Sequence, residues 1–393
     1  MNELIDVPPG LNGVAVADTA IGTVHGDEGF YHYRQYDATE LARSVGFEEV
    51  WYLFEHGELP TGVELDRFRS EVEPLRDLPA DLGPLIEAAA RTGGSPLAQL
   101  RTVLSATQQV IGLAPMLDLG VDERRRQARS IAALTPTVLA ALHHAAAGTE
   151  IPAPMPGLGH AASYLRAVTG RTPSAAHARA LEQYLMLTVD HGFNASTFTG
   201  RVVASTGADI ADVVCAAIGA LAGPLHGGAP SRALDALDAI GDPAHAARFV
   251  RTELAAGRRI MGFGHAVYRA PDPRSGLLRE VAESLGGPLV EQAMATEVEI
   301  LATLAELKPD RPLPSNVEFY AGVIMETVGL PRSMFTPTFA VSRVIGWVTH
   351  ALEQAAVGKL IRPAARYVGP RPDRSLARVQ PAAAHVGRGL GGQ

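Results

Sequence analysis

The stretch DIADVVCAAIGALA, residues 209–222, decides the fold class. Past its two aspartates it is apolar or small at every position, so no face of a helix built from it is polar. Such a helix is enclosed by other elements instead of lying on a surface. Enclosure by helices is what the flanking sequence offers. Apolar periodicity predicts helices over 64–75, 80–92, 96–110, 122–147, 159–168, 174–190 and 194–206, punctuated by Thr92-Gly93-Gly94 and Pro152-Ala153-Pro154. Further upstream, Asp37-Ala-Thr-Glu40 has capping-box spacing and opens a helical stretch through Leu41, Val45, Val50 and Leu53. Residues 10–36 lack helical periodicity and read as loop and short extended segments on the surface.

Downstream of Gly223-Pro224 the chain carries more charge over 230–310, in shorter amphipathic helices at 231–240, 243–256, 274–285 and 288–307. A long helix from Thr336 to about Gly358 follows. The fold class is therefore all-α, with the charged segment as a candidate second domain. Residues 371–393, rich in Pro, Ala, Gly and Arg, read as a disordered tail.

Bulk properties narrow the function. At 393 residues the chain exceeds the size at which one core usually stops growing. A formal charge of -8 without a basic stripe argues against nucleic-acid binding. The one cysteine, Cys215, sits among apolar neighbours as a small buried hydrophobe. The start, MNELIDVPPG, has no signal-peptide character. The longest uncharged apolar run, Val213 to Leu225, falls short of the roughly 20 residues that span a bilayer. A cytoplasmic protein without membrane attachment is expected.

Four motifs could carry chemistry. Gly223-Pro-Leu-His-Gly-Gly228 holds one imidazole among glycines that free backbone for a ligand; a plain turn with a surface histidine is the alternative. Met261-Gly-Phe-Gly-His-Ala-Val-Tyr-Arg269 with Asp272-Pro-Arg274 lacks the third glycine of a dinucleotide fingerprint, Val267 standing there, and has no flanking strand pattern. What remains is a histidine to polarise a carbonyl and an arginine to hold a carboxylate. Thr188-Val-Asp-His-Gly-Phe-Asn-Ala-Ser-Thr197 is a polar cluster between apolar helices, which helix capping alone also explains. Asn316-Val-Glu-Phe-Tyr-Ala-Gly322 sets Glu318 in an apolar run, either as a proton-transfer base or as a helix-start acid. His143, His144, His191, His226 and His265 lack metal-ligand spacing, so no metal is expected.

Together, in this order, these motifs resemble the citrate synthase family. Gly26-Asp-Glu-Gly29, Tyr33-Arg34-x-Tyr36, Gly57-Glu-Leu-Pro60, Leu100-Arg-Thr102, Ser342-Arg-Val-Ile-Gly346 and Ile361-Arg-Pro363 extend the resemblance over residues 10–370. It implies a homodimer of helical subunits that condense acetyl-CoA with oxaloacetate in the tricarboxylic acid cycle, with no permanently bound cofactor. The large domain would comprise 1–227 and 335–370, and a mobile small domain 228–334. By the resemblance Glu318 is the base, His226 the donor to the thioester oxygen and His265 the group that polarises the keto carbonyl. His191, Arg274, Arg343 and, across the dimer, Arg362 would bind oxaloacetate. CoA would lie along Gly262 and Gly264, its phosphates near Arg259, Lys308 or Arg311. Two departures stand out: Glu318 where the family usually has Asp, and Ala229-Pro-Ser231 where many relatives have Ala-Asn. 2-Methylcitrate synthase, using propionyl-CoA, and a weakly active oxaloacetate or citrate sensor are the alternative functions.

Overall fold

The computed structural model describes residues 4–224, 226, 230–265 and 267–370. The helices are α1 Ala38–Ser44, α2 Phe47–His56, α3 Gly62–Val72, α4 Gly83–Ala90, α5 Pro96–Ile111, α6 Val121–Ala147, α7 His160–Thr169 and α8 Ala175–Thr188. Then come α9 Ala195–Ala204, α10 Ile210–Leu221, α11 Pro230–Ile240, α12 Ala246–Ala255, α13 Pro273–Leu285, α14 Pro288–Leu307, α15 Val317–Thr327 and α16 Phe335–Val357. The fold is all-α, as the periodicity predicts. Its compact units are Ala17–Ile361 and, separately, the described chain ends, residues 4–16 with 362–370. Within the described part of the end unit Arg366 pairs with Asp6 at 2.7 Å. The expected tail, 371–393, lies outside the described residues.

Helix α10 is the element foreseen from its composition. Asp209 caps it by accepting the N–H groups of Ala211 and Asp212, and it packs on α5, α9 and α16. Its enclosure is not complete: Cys215, Ala216, Gly219 and Ala220, one stripe at helical spacing, are only partly buried. Cys215 is thus half-buried instead of fully buried, though burial still pushes its thiol up to about 12.

Three expectations change. The stretch opened by Asp37 is two helices, because Val45 is extended (φ -126°, ψ 177°). The break is held from outside: Glu49 accepts the Gly46 N–H at 2.7 Å, Glu182 that of Phe47 at 3.0 Å, and Arg179 donates to the Val45 carbonyl at 2.8 Å. Residues 10–36 contain an antiparallel sheet, β1 Gly22–His25, β2 Phe30–Tyr33 and β3 Tyr36–Asp37, and its Tyr31 and Tyr33 are buried instead of lying on the surface. Val213–Leu225 is not the longest apolar stretch either. Among the described residues α6 has the length and composition of a bilayer span, but that window is mostly buried in the protein, as a core helix is.

Candidate active site

The site begins with a fastening between two distant loops. Gly262 and Gly264 have φ of 84° and 78°, a region open to glycine. The turn they form pairs with the segment before α15. Gly264 N–H donates to the Pro314 carbonyl at 2.7 Å and Asn316 N–H to that of Gly262 at 2.9 Å, while Asn316 Nδ2 donates to the Gly264 carbonyl at 2.8 Å. Asn316 also caps α15 by accepting the Glu318 N–H at 3.0 Å. One residue therefore sets both the His265 turn and the start of the Glu318 helix.

His265 Nδ1 accepts two backbone N–H groups, from Val267 and Tyr268, each at 3.0 Å. Backbone N–H groups only donate, so the ring proton is assigned to Nε2. Nε2 lies 3.2 Å from Nη2 of Arg274, which also can only donate. Two donors meet with no acceptor between them, an arrangement suited to an oxygen-bearing anion. Burial, and then the charge of Arg274, lowers the His265 pKa to about 4, so the ring is neutral near pH 7.

Asp272 positions Arg274. Its carboxylate accepts from Arg274 Nε at 3.0 Å and Nη2 at 2.8 Å, and also receives the Val317 N–H at 3.2 Å. The motif by itself assigns this residue no part. The Asp-Pro pair before Arg274 is a helix-start signature that marks it: Asp272 caps α13 with proline following.

Arg343 is 2% exposed. Its Nε donates at 2.8 Å to the carbonyl of Thr188, the last residue of α8, where unpaired carbonyls and the negative dipole end attract a cation. Burial lowers the Arg343 pKa, with the charge of Asp190 the main opposing influence. The sheet sets the neighbouring turn, since the Tyr33 hydroxyl lies 3.0 Å from the Met186 and Asp190 carbonyls and that of Tyr31 3.1 Å from Leu187. The turn presents His191, whose Nε2 is 3.0 Å from the Tyr268 hydroxyl. Burial and the charges of Arg274 and Arg343 keep His191 neutral.

His226 faces the first turn of α9. Ser196 N–H points at its Nε2 from 3.3 Å, and the Ser196 hydroxyl, which accepts from Trp347 Nε1 at 3.2 Å, lies 2.8 Å away. A backbone N–H can only donate, so Nε2 is assigned as the acceptor and the ring proton to Nδ1, with the one proton of the Ser196 hydroxyl shared between Nε2 and Asn194 Oδ1, which lies 2.7 Å from that hydroxyl. Burial, with the Arg343 charge, lowers the His226 pKa and keeps the ring neutral. Ser196 and Trp347 had been given no part; Asn-Ala-Ser, a helix-capping pattern beside a polar cluster, is the only sequence signal for the first.

Glu318 shares a cavity of about 460 Å³ with His191, His226, His265, Arg274 and Arg343. Burial raises its pKa to about 7, against the opposing pull of Arg274. Gly262, Gly264 and Arg259 line the same cavity, while Lys308 and Arg311 are exposed and outside its walls. The Gly264 N–H is committed to the turn and not available to a ligand. Arg362 is exposed and belongs to the unit formed by the chain ends. Gly227, Gly228 and Ala229 lie outside the described residues. No group of three or more His, Cys, Asp or Glu side chains suited to a metal occurs among the described residues. The arrangement can bind an acidic carbonyl compound beside a carboxyl group able to exchange a proton near neutrality.

The family model described as "Citrate synthase, C-terminal domain" matches residues 10–364. A citrate synthase of Haloferax volcanii is 38% identical over 365 residues, 92% of this chain and 95% of the relative. A 2-methylcitrate synthase of Mycobacterium tuberculosis is 36% identical over 369 residues, covering 94% and 92%. The solved Thermoplasma acidophilum citrate synthase, a ternary complex with carboxymethyl coenzyme A and oxaloacetate, superposes with a TM-score of 0.84 at 28% identity, covering 93% of this chain and 96% of that one.

Proposed function

The chain belongs to the citrate synthase family, enzymes of the acyltransferase type, and from that premise we propose that it condenses acetyl-CoA with oxaloacetate and water to give citrate and CoA. The observation that carries the reading is the convergence of two donors, His265 Nε2 and Arg274 Nη2, 3.2 Å apart, in one cavity with Glu318.

In this reading oxaloacetate enters first, its carboxylates held by Arg274, Arg343 and His191, and its keto oxygen by His265. Bidentate guanidinium contacts offset the cost of desolvating two carboxylates. Glu318 then removes a proton from the thioester methyl. Its pKa near 7 suits the task, because a base titrating near the operating pH balances availability against strength. The electrons released go to the thioester oxygen, to which the Nδ1–H of neutral His226 donates. The nucleophilic carbon attacks the keto carbon, His265 gives its Nε2 proton to the forming alkoxide, and water adds to the resulting thioester to release CoA as thiol.

The reaction would feed the tricarboxylic acid cycle. CoA would lie beside Gly262, Gly264 and Arg259, with Lys308 or Arg311 meeting its phosphates. Residues 228–334 would be the mobile domain that closes the cavity. The stripe on α10, apolar and only partly buried by this chain, supports assembly as a homodimer, within which Arg362 would reach the partner's oxaloacetate. The 2-methylcitrate synthase among the relatives supports a second reading with propionyl-CoA, since one methylene is worth only about 10–200-fold in selectivity. Purified protein should release free thiol from acetyl-CoA only when oxaloacetate is present. Silence with acetyl-CoA and release from propionyl-CoA would favour the second reading, and silence with both would overturn the proposal.

A further inference from the structure

The chain leaving α8, residues 188–191, is gripped by α16 at successive points. Arg343 Nε donates to the Thr188 carbonyl at 2.8 Å. Gly346, three residues on, leaves room for the Val189 carbonyl, whose oxygen would lie 2.3 Å from an added Cβ. His350, four residues further, turns its Nε2 toward Asp190 Oδ1, 3.4 Å away. Spacings of three and four put these residues on one face of the helix. The first contact fixes a guanidinium of the cavity, and the second is close backbone packing. The third joins two buried polar groups that the reaction does not use.

Asp190 and His350 are 1% and 2% exposed, and among the described residues Oδ1 and Nε2 have no other partner. Neither residue lines the catalytic cavity. An unmet carboxylate oxygen at this depth is costly, so the place of the imidazole proton decides what the contact does. That place is set from the far side of the ring. Arg201 on α9, fully buried, directs Nη1 at His350 Nδ1 from 3.2 Å. A guanidinium only donates, so Nδ1 is the acceptor and the ring proton is assigned to Nε2, on the side of Asp190. Arg201 is itself held, through Nη1 by Glu353 at 2.6 Å and through Nε by Gln354 Oε1 at 3.1 Å. Arg201, His350 and Asp190 thus form a chain of donors with one direction, and it ends on the residue before His191. The Asp190 charge also acts on Arg343, against the effect of burial.

We propose that His350 is a positioning residue for oxaloacetate: its Nε2–H holds the Asp190 carboxylate, and residues 188–191 so fixed keep Arg343 and His191 aimed into the cavity. The role rests on the reading that Arg343 and His191 bind oxaloacetate. A buried polar network that served stability alone would have no such effect on binding.

The test compares His350→Asn with His350→Gln in the full-length protein. The shorter amide can replace Nδ1 beside Arg201 but stops short of Asp190, whereas the longer one carries its amide nitrogen to about the Nε2 position. Calorimetric titration should show the oxaloacetate Kd raised by at least about tenfold in His350→Asn and within about threefold of wild type in His350→Gln. The KM for acetyl-CoA should stay within about threefold in both. Asp190→Asn, which is isosteric, keeps the test intact if His350→Asn does not fold. An effect of charge alone would leave oxaloacetate binding there as tight or tighter, because a negative charge near Arg343 is removed. Positioning predicts a Kd raised by at least about threefold, since a neutral acceptor holds the Nε2–H less firmly. Equal oxaloacetate affinity in the two His350 variants, an acetyl-CoA KM that rises in parallel, or undiminished binding in Asp190→Asn would each overturn the positioning role alone. Wild-type protein that does not bind oxaloacetate would overturn the catalytic reading and the positioning role with it.

Discussion

Glu318 and His265 are shifted in opposite directions from their ordinary values, so their contributions to stability change with pH in opposite senses. Burial holds the Glu318 pKa at about 7, above the ordinary carboxylate value of 4.5. Between those values the folded state binds more protons than the unfolded one, so this residue's contribution is full below pH 4.5 and lost as pH rises through 7. For His265 the folded pKa is about 4 against an ordinary 6.5. Its contribution is full above pH 6.5 and lost as pH falls through 4. Chemical denaturation should therefore find Glu318→Gln more stable than wild type at pH 8, by about 1–3 kcal/mol, with the gain vanishing at pH 4. An equal difference at both pH values would show that Glu318 is not the buried acid described. Glu318 was legible in the sequence as a candidate base, a carboxylate in an apolar run. Its fastening to His265 through Asn316 was not, since those contacts span 52 residues.

At the scale of elements, the long helices were legible because their apolar periodicity and caps are local: α14 runs over 288–307 as the sequence reading had it. The sheet was not. Its strands have four, four and two residues, too few to display a period, and its tyrosines acquire their role from α8 carbonyls more than 150 positions away. The alternation Tyr31–x–Tyr33 was the signal available. The break at Val45 was equally hidden, because Arg179 and Glu182 hold it from α8. Arg343 depends on how closely α16 approaches the turn after α8. A Cβ added at Gly346 would lie 2.3 Å from the Val189 carbonyl oxygen, a backbone atom that cannot swing aside. Gly346→Ala should cost about 1–3 kcal/mol of stability and weaken oxaloacetate binding by pushing α16 from α8. Calorimetric binding close to wild type would contradict that dependence.

Over the whole molecule, composition and motif order gave the fold class, and the family match and the Thermoplasma acidophilum structure agree with it. The separation of the two chain ends into a unit of their own was not legible, since it joins segments that sequence keeps far apart. The central claim joins these scales: one cavity binds oxaloacetate through its arginines and histidines and removes a proton from the thioester through Glu318. These two tasks separate in Glu318→Gln, which keeps the shape and loses the base. Turnover of acetyl-CoA with oxaloacetate should fall by at least about 100-fold, while oxaloacetate binding, measured by calorimetry on the same preparation, stays within about threefold of wild type. Turnover at the wild-type rate in this variant would contradict the account.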